Sequence, residues 1–224
     1  MALHGSGGAY YRGAADIPSS AGLHSAYSRH VWVRGASVPN TSNLRYIAGL
    51  VGSGQNPGHQ LIWNHPSGAF NKSNILRNAG GSYFSCQYAS AIPADTWLGL
   101  GVTFDGSTLV SYLDGVADAT LGGLSAAANQ QVEVHLLAAL VYGGGLDSSS
   151  NWVDGEAAEY GYWNIPLTAD EMASLGKGFR PDRIRPQALQ FYAPCVRDLQ
   201  DIRGGRTLVK QAGTDVPSDH PRVF

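Results

Sequence analysis

The residues best suited to acid–base chemistry are three carboxylates in one short segment, Asp154, Glu156 and Glu159. Hydrolysis of a glycosidic bond uses two carboxyl groups that face the same cleft. Residues two apart on a β-strand share a face, so Asp154 and Glu156 can face the same way while Glu159 faces the opposite way. The spacing does not assemble a catalytic set, and we expect a protein that is not an enzyme.

The chain also lacks the signature of an activated nucleophile. No Gly-x-Ser-x-Gly elbow is present around any serine. We expect the histidines to face solvent or to be hydrogen-bonded locally, because the sequence scatters them: His4, His24, His30, His59, His65, His135 and His220.

Several acidic residues in loops and turns are candidate calcium ligands. Asp147 and Asp154 flank a serine-rich loop, while Asp105 and Asp114 precede glycines in turns. Calcium takes about six oxygen ligands from a defined cage, whereas an Asp-Gly pair is explained by hairpin geometry alone. We expect no metal and no cofactor, and calcium is the alternative left open.

Carbohydrate binding would need exposed aromatic rings beside polar groups. The possible glycan-binding residues in or beside loops are Trp63, Asn64, His65 and Trp152. For Trp63, structural packing is the open alternative. Trp32, Trp97 and Trp163 are expected in the core or on the sheet surface, where tryptophan contributes a large buried area.

Composition favours one β-rich domain. The chain has 224 residues, of which 43% are hydrophobic, only 14% are charged and 29 are glycine, as is typical of many short strands joined by tight turns. Residues up to Gly176 carry 6 Lys+Arg against 12 Asp+Glu, whereas residues from Lys177 onward carry 9 against 5. This basic tail on an acidic body indicates docking of the tail, and we expect no nucleic-acid partner.

The N-terminal sequence has no basic region followed by an apolar one, so we expect no secretory signal. No run approaches the roughly 18 apolar residues of a membrane span, so we expect no membrane partner. Cys86 and Cys195 are the only cysteines. They permit at most one disulfide, and two buried thiols are the expected state.

The clearest structural signal runs from Ala94 to Val116. Leu98–Phe104 alternates bulky apolar residues with glycine and threonine, which predicts a strand with one buried face and a close neighbour on its small face. Asp105-Gly106 predicts a tight turn, Thr108–Leu113 a returning strand, and Asp114-Gly115 a second turn. These strands and turns together predict an antiparallel sheet.

Alternation elsewhere predicts further strands. They are an edge strand near Ala9–Arg12, then Tyr27–Arg34, Leu44–Val51, His59–Asn64, Ser82–Ser90, Val132–Tyr142, Ala157–Asn164 and Ala188–Tyr192. Asn71–Gly81 is predicted to be an irregular connection, and Gly143–Asn151 a flexible turn region.

One short helix is predicted near the end of the body. Thr168 and Glu171 have the spacing of a capping box, and Leu167 and Met172 that of a hydrophobic staple. Gly176 is the predicted C-cap. A helix of two turns is not stable alone, so it must pack on the sheet.

The order of these elements resembles the laminin G-like, concanavalin A-type jelly-roll family. That family shares a tryptophan-led strand, a Tyr-x-Asp-Gly hairpin and a strand ending in Trp-Asn before Leu-Thr-x-x-Glu. Here these motifs lie in WLGLGVTFDGSTLVSYLDGV and AAEYGYWNIPLTADEMASLGKG. The resemblance covers about Ala26–Gly176 and implies an all-β, concanavalin A-like antiparallel β-sandwich jelly roll with one short helix and a C-terminal extension.

We accordingly divide the chain into an N-terminal lead-in (1–25), a jelly-roll domain (26–178) and a C-terminal basic extension for docking or assembly (179–224). The extension resembles those on laminin G-like proteins encoded among tailed-bacteriophage structural genes. The shared features are an Arg-Pro lead, a Tyr-x-Pro strand, an Asp-x-x-Gly-Gly turn and a terminal His-Pro-Arg. Arginine suits carboxylates on a partner, and the expected assembly contacts are Arg180, Arg183, Arg185 and Arg222. The alternative is that these arginines cover the acidic body of their own subunit.

Two main hypotheses for the function follow, with a third behind them. The leading hypothesis is a non-enzymatic structural virion protein of a tailed bacteriophage, foremost a capsid decoration or cement protein, or another accessory head or tail component. Its expected partners are a viral capsid or tail protein and further copies in a homo-oligomer, and its expected location is the virion after synthesis in the host cytoplasm. The alternative is a carbohydrate-binding, lectin-like module that attaches to glycans. A hydrolase that uses Glu156 is the third hypothesis.

Overall fold

The computed structural model describes residues 3–13, 17–22, 25–35, 45–52, 58–64, 73–77, 83–90, 93, 95–126, 132–136, 141–142, 145–146, 155–195, 199–215, 220–221 and 223–224. Within these ranges the chain forms fifteen strands and one α-helix, α1 (Ala169–Gly176). The strands are β1 Leu3–Gly13, β2 Tyr27–Gly35, β3 Arg45–Gly52, β4 Gly58–Asn64, β5 Ser73–Arg77, β6 Tyr83–Gln87, β7 Leu98–Phe104, β8 Leu109–Leu113, β9 Val116–Leu121, β10 Val132–Leu136, β11 Val141–Tyr142, β12 Gly145–Leu146, β13 Gly155–Trp163, β14 Leu189–Ala193 and β15 Leu208–Asp215.

Thirteen of these strands are hydrogen-bonded in one sheet that folds onto itself. Eleven follow the order β6-β5-β4-β3-β10-β1-β13-β2-β7-β8-β9, while β14 pairs with β13 and β15 with β1. The long strand β1 passes between the two halves, since Leu3–Gly5 pairs with β13 and Tyr11–Arg12 with β10. Apolar side chains of both halves, such as Leu50 and Leu100, share one buried core. The predicted antiparallel β-sandwich is confirmed.

The alternation of bulky apolar residues with glycine and threonine along β7 defines a core face and an outer face of this strand. Leu98, Leu100, Val102 and Phe104 point into the core. On the outer face, a Cβ at Gly101 would lie 2.2 Å from the terminal methyl carbon of Met172 on α1. The close neighbour predicted on the small face is therefore α1, and a side chain at Gly101 would displace the terminal methyl group of Met172.

The predicted capping box of α1 is confirmed at its N-terminus. The Thr168 amide donates to Oε2 of Glu171 at 2.9 Å, and the Glu171 amide donates to Oγ1 of Thr168 at 3.3 Å. The predicted C-cap is wrong, because Gly176 is the last helical residue and Lys177 is the C-cap. A Cβ at Gly176 would lie 2.2 Å from the carbonyl of Asp114, so this glycine serves close packing rather than helix termination.

Four other expectations differ from the structure. The strand expected at an edge near Ala9–Arg12 is part of β1 and has β10 on one side and β15 on the other. The segment expected to be irregular contains β5, and the expected turn region contains β12. The tail supplies β15 as well as the predicted strand at β14. Pairing with other strands provides the backbone hydrogen bonds, so weak local propensity does not exclude strand formation.

Polar contacts join the edges of the sandwich. Asp118 on β9 accepts the amide of Ala89 at 2.6 Å, and Tyr88 donates to the carbonyl of Gly101 at 3.1 Å. Cys86 and Cys195 are buried and are not joined by a disulfide, as predicted. No helix in the described part of the chain combines the length and apolar character needed to cross a membrane.

Candidate functional site

The outer face of β2, β7 and β13 carries aromatic and charged side chains beyond the end covered by α1. Pairing places Arg34 opposite Glu156, and Trp32 between Ala158 and Gly99. Directly opposed residues share a face of the sheet. We call this set the outer-face site: His30, Trp32, Arg34, Trp97, Gly99, Asp114 and Glu156.

A partly buried ion pair forms one end of the outer-face site. The guanidinium of Arg34 donates to both carboxylate oxygens of Glu156, with Nη2 at 2.8 Å from Oε1. Its carbon lies 5.4 Å from the ring centroid of Trp97. Two parallel hydrogen bonds and a ring contact fix the arginine in place. Glu156 is thus held in an ion pair, while Asp154 lies outside the described residues.

Two indole rings form the middle of the site. Trp32 and Trp97 are both half-buried, so each residue keeps part of its surface exposed. Trp32 meets the ring of His30 edge-on, with 5.8 Å between centroids. The indole Nε1 of Trp97 is buried and has no hydrogen-bond partner among the described residues.

His30 forms the floor of the site. It is 1% exposed, and neither ring nitrogen has a hydrogen-bond partner in the described part of the chain. Burial lowers the pKa of His30 to about 3, so its ring is neutral near pH 7. A neutral imidazole offers one donor and one acceptor. The expectation of solvent-facing or locally bonded histidines is wrong for His30, which lies at the boundary of the covered end: Met172 and Pro181 pack over Gly101 and Gly161, the two glycines that pair with His30.

Asp114 forms the rim opposite Trp32. Its Oδ1 accepts the amide of Gly99 at 2.7 Å, and its own amide donates to the carbonyl of Gly99 at 2.8 Å. Burial raises the pKa of Asp114, and the hydrogen bond from Gly99 partly opposes this shift. His30 on β2 and Asp114 in the turn after β8 therefore approach the same glycine.

The acidic residues considered for calcium serve as turn acceptors where they are described. Oδ1 of Asp105 accepts the amides of Ser107 at 2.8 Å and Thr108 at 2.7 Å. These bonds lower the pKa of Asp105. The described residues contain no group of three or more metal-binding side chains. Asp147 lies outside them, and calcium stays an open prediction.

The glycan-binding residues predicted from the sequence lie elsewhere. Trp63 and Asn64 end β4, which four strands separate from β2 in the sheet order. Their side chains lie outside the described part of the structure, as do His65 and Trp152. These four residues stay a prediction. The sequence signal for the outer-face site was present in β2, where His30, Trp32 and Arg34 recur at period two.

The predicted assembly arginines occupy different environments. Arg180 donates to Oδ2 of Asp182 at 2.8 Å and lies over the ring of Tyr192. Arg185 donates to Glu171 on α1. Arg183 is exposed and forms no ion pair among the described residues, and Arg222 lies outside them. Two of the four arginines therefore contact their own subunit.

A second polar cluster attaches the tail to the body. Glu159 lies at a bulge in β13, adopts a φ of 54° and is 2% exposed. It accepts the hydroxyl of Tyr192, and its Oε1 lies 3.2 Å from Nε2 of His220. All three groups are turned toward one another rather than toward a cleft, which fits a structural contact.

Comparison with known proteins agrees with this architecture. A laminin G family model, described as the concanavalin A-like lectin/glucanases superfamily, matches residues 7–173. No curated protein matches the chain.

Three solved structures are similar in fold. A heptameric SAP-like pentraxin from Limulus polyphemus is 12% identical, with a TM-score of 0.63 over 95% of this chain and 91% of its own. A Bacteroides ovatus protein described as a candidate carbohydrate-binding protein is 14% identical, with a TM-score of 0.68 over 98% of this chain and 60% of its own. Domain 4 of AbnA, a GH43 extracellular arabinanase from Geobacillus stearothermophilus, solved in complex with arabinotriose, is 17% identical, with a TM-score of 0.50 over 68% of this chain and 67% of its own.

Identities this low establish a shared fold and nothing finer. The family match, in contrast, spans most of the sequence and all the strands of the outer-face site. The chain therefore belongs to the concanavalin A-like lectin/glucanases superfamily.

Proposed function

We propose that the protein is a carbohydrate-binding, lectin-like module that holds a glycan on the outer-face site. The observation that carries this proposal is the pair of half-buried indoles, Trp32 and Trp97, beside the Arg34–Glu156 ion pair on one sheet face. Small-molecule sites typically combine aromatic surface with a few fixed polar groups. Two similar structures add support, since their descriptions name carbohydrate binding and bound arabinotriose.

The site is rigid before any ligand arrives. The sheet fixes the backbone of β2, β7 and β13, the ion pair and the Trp97 ring fix Arg34, and the His30 ring contacts Trp32. A ligand that binds such a surface orders few side chains, which reduces the entropic cost of association. The proposed function is binding without chemistry, because Glu156 is engaged by Arg34 in the ground state.

The experiment that tests this proposal is a glycan array followed by calorimetric titration of the best ligand. Trp97→Ala should weaken binding at least about tenfold, equivalent to a lost contact of about 1.4 kcal/mol. Trp63→Ala is the matched control, since it removes the tryptophan predicted from the sequence and leaves the outer-face site intact. If Trp63→Ala abolishes binding and Trp97→Ala does not, the ligand binds near Trp63 and not at the outer-face site. A wild-type array without any signal removes the proposal.

The bacteriophage role stays a prediction from the sequence of the tail. Its finer claims are a capsid or tail partner, a homo-oligomer and a place in the virion, and the comparisons lend them no support. A glycan-binding face is compatible with such a role, because assembly would use the tail and not the outer-face site.

A further inference from the structure

We propose that α1 and the segments beside its last turn form a self-complementary docking surface, through which two copies of this chain associate about a two-fold axis. The inference goes beyond the proposed function and does not depend on it. We call this surface the α1 face, and its residues are Val116, Asp170, Ser174, Lys177, Phe179 and Phe224.

The apolar part of the α1 face consists of three exposed side chains. Val116 is 68%, Phe179 46% and Phe224 75% exposed. They are three of the five large hydrophobic residues that are exposed in the described part of the chain. Exposed apolar residues that lie together typically mark a protein–protein interaction site.

Backbone contacts bring Val116 and Phe179 to the same end of α1. The turn that leads into Val116 lies against the helix, since a Cβ at Gly115 would be 2.7 Å from Cα of Ala173. The chain then folds back after the helix, and the Phe179 amide donates to the carbonyl of Ser174 at 3.1 Å. Both exposed side chains therefore flank the last turn of α1.

Phe224 lies beside Phe179. Its amide donates to the carbonyl of Gly178 at 2.7 Å, and its carbonyl accepts the amide of Arg180 at 3.2 Å. This is the hydrogen-bond pattern of a parallel bridge, in which the two opposed residues are Phe179 and Phe224. The bridge adds a second aromatic ring to the apolar part of the α1 face.

The α1 face also carries one exposed charge of each sign. Asp170 lies in the first turn of α1, and Lys177 is the C-cap. Both residues are exposed, and neither forms an ion pair among the described residues. They are seven residues apart, about two helical turns, so both side chains lie on the same side of α1.

This charge pattern points to a second copy as the occupant. An antiparallel arrangement of two α1 helices places Asp170 of each copy opposite Lys177 of the other, and a two-fold axis forms both pairs at once. A nucleic acid, an anionic membrane or an acidic peptide would be attracted by Lys177 but repelled by Asp170. Burial of the exposed apolar side chains in the same contact supplies the main driving force for association.

Sedimentation velocity of the full chain over a range of concentrations tests the inference, and we expect a monomer–dimer equilibrium. Asp170→Lys and Lys177→Asp should each raise the dissociation constant at least about tenfold, since each opposes two like charges. The variant that combines both substitutions should restore dimerisation, because it reverses both members of each pair.

A second comparison tests the apolar part of the surface. Phe179→Ser should also weaken dimerisation at least about tenfold, because it removes an aromatic ring from the interface. The matched control is Ile202→Ser, since Ile202 is 49% exposed but lies in the tail turn before β15, outside the α1 face. This control should dimerise like the wild type.

A crosslink locates the two-fold axis. Ser174 lies near the midpoint between Asp170 and Lys177, so an axis that forms both ion pairs brings the two copies of Ser174 close together. Under oxidising conditions Ser174→Cys should form a disulfide-linked dimer, whereas Ile202→Cys should not. The native thiols of Cys86 and Cys195 are buried and do not compete.

Wild-type protein that stays monomeric at every concentration overturns the inference. A dimer that is unchanged by both charge reversals, or that the combined variant does not restore, shows that Asp170 and Lys177 do not pair across the axis and overturns it as well. Urea unfolding checks that each variant folds. If a charge reversal or Phe179→Ser does not fold, the crosslink decides, and no disulfide-linked dimer of Ser174→Cys overturns the inference.

Discussion

The hydroxyl of Tyr192 on β14 donates a hydrogen bond to the carboxylate of Glu159, which lies at the bulge of β13. Both residues are buried, and the Glu159 amide also donates to the carbonyl of Pro194 at 3.1 Å. Burial and, after it, the Glu159 carboxylate raise the pKa of Tyr192, so the phenol keeps its proton. This contact joins the tail to the jelly roll.

Tyr192→Phe should therefore lower the free energy of unfolding by about 1–3 kcal/mol, the usual cost of a buried acceptor that loses its donor. Urea denaturation monitored by tryptophan fluorescence measures the change. Tyr112→Phe is the control, because Tyr112 is also buried but has no side-chain hydrogen bond among the described residues. Equal effects of the two substitutions would contradict a specific role for the Tyr192–Glu159 contact.

His30 should make stability depend on pH. Its folded pKa of about 3 lies below the value near 6.5 of the unfolded chain, so the unfolded state binds the proton more readily. The contribution of neutral His30 to the free energy of unfolding is fully present above pH 6.5. It falls as the pH drops toward 3, by about 1.4 kcal/mol for each pH unit in that window. His30→Leu should flatten this part of the profile. Parallel profiles for wild type and variant between pH 6.5 and 5 would show that His30 is not the group responsible.

Gly176→Ala should destabilise the protein although alanine favours a helix by up to about 1 kcal/mol over glycine. The added Cβ would lie 2.2 Å from the Asp114 carbonyl, and backbone cannot move aside cheaply. Overpacking of this kind costs about 1–3 kcal/mol. The measurement is the midpoint of thermal unfolding, compared between Gly176→Ala and the control Gly122→Ala, where an added Cβ meets nothing within 4 Å. A higher midpoint for Gly176→Ala than for the wild type would refute the packing argument.

Arg183 is the cleanest position at which to test the predicted assembly role of the tail. Deleting residues 179–224 would remove β14 and β15 from the sheet, so loss of assembly in that truncation would not identify a contact. Arg183→Ala should leave the free energy of unfolding within about 0.5 kcal/mol.

Arg180→Ala provides the contrast, because it removes contacts with Asp182 and Tyr192 inside the same subunit and should lower stability. Sedimentation of each variant, alone and with candidate particles, measures association. If Arg183→Ala associates as well as the wild type, this arginine is not an assembly contact.

Features that depend on near neighbours in the chain could be predicted from local sequence patterns. The alternation of Leu98–Phe104 defined the two faces of β7, and Asp105-Gly106 specified its turn. The spacing of Thr168 and Glu171 defined the start of α1. Each of these signals acts over a few residues, through strand periodicity or a local hydrogen bond, so no knowledge of the distant chain is needed.

Contacts between distant residues could not be predicted in this way, because they depend on long-range strand pairing. β5 and β15 became strands through pairing with β4 and β1, and Gly176 became a packing glycine because Asp114 approaches α1. The outer-face site draws on β2, β7, β13 and the turn after β8, so strand order and register had to be known before His30 and Asp114 could be placed beside Gly99. The physical reason is that side-chain neighbours across a sheet depend on long-range pairing, which local propensity does not encode.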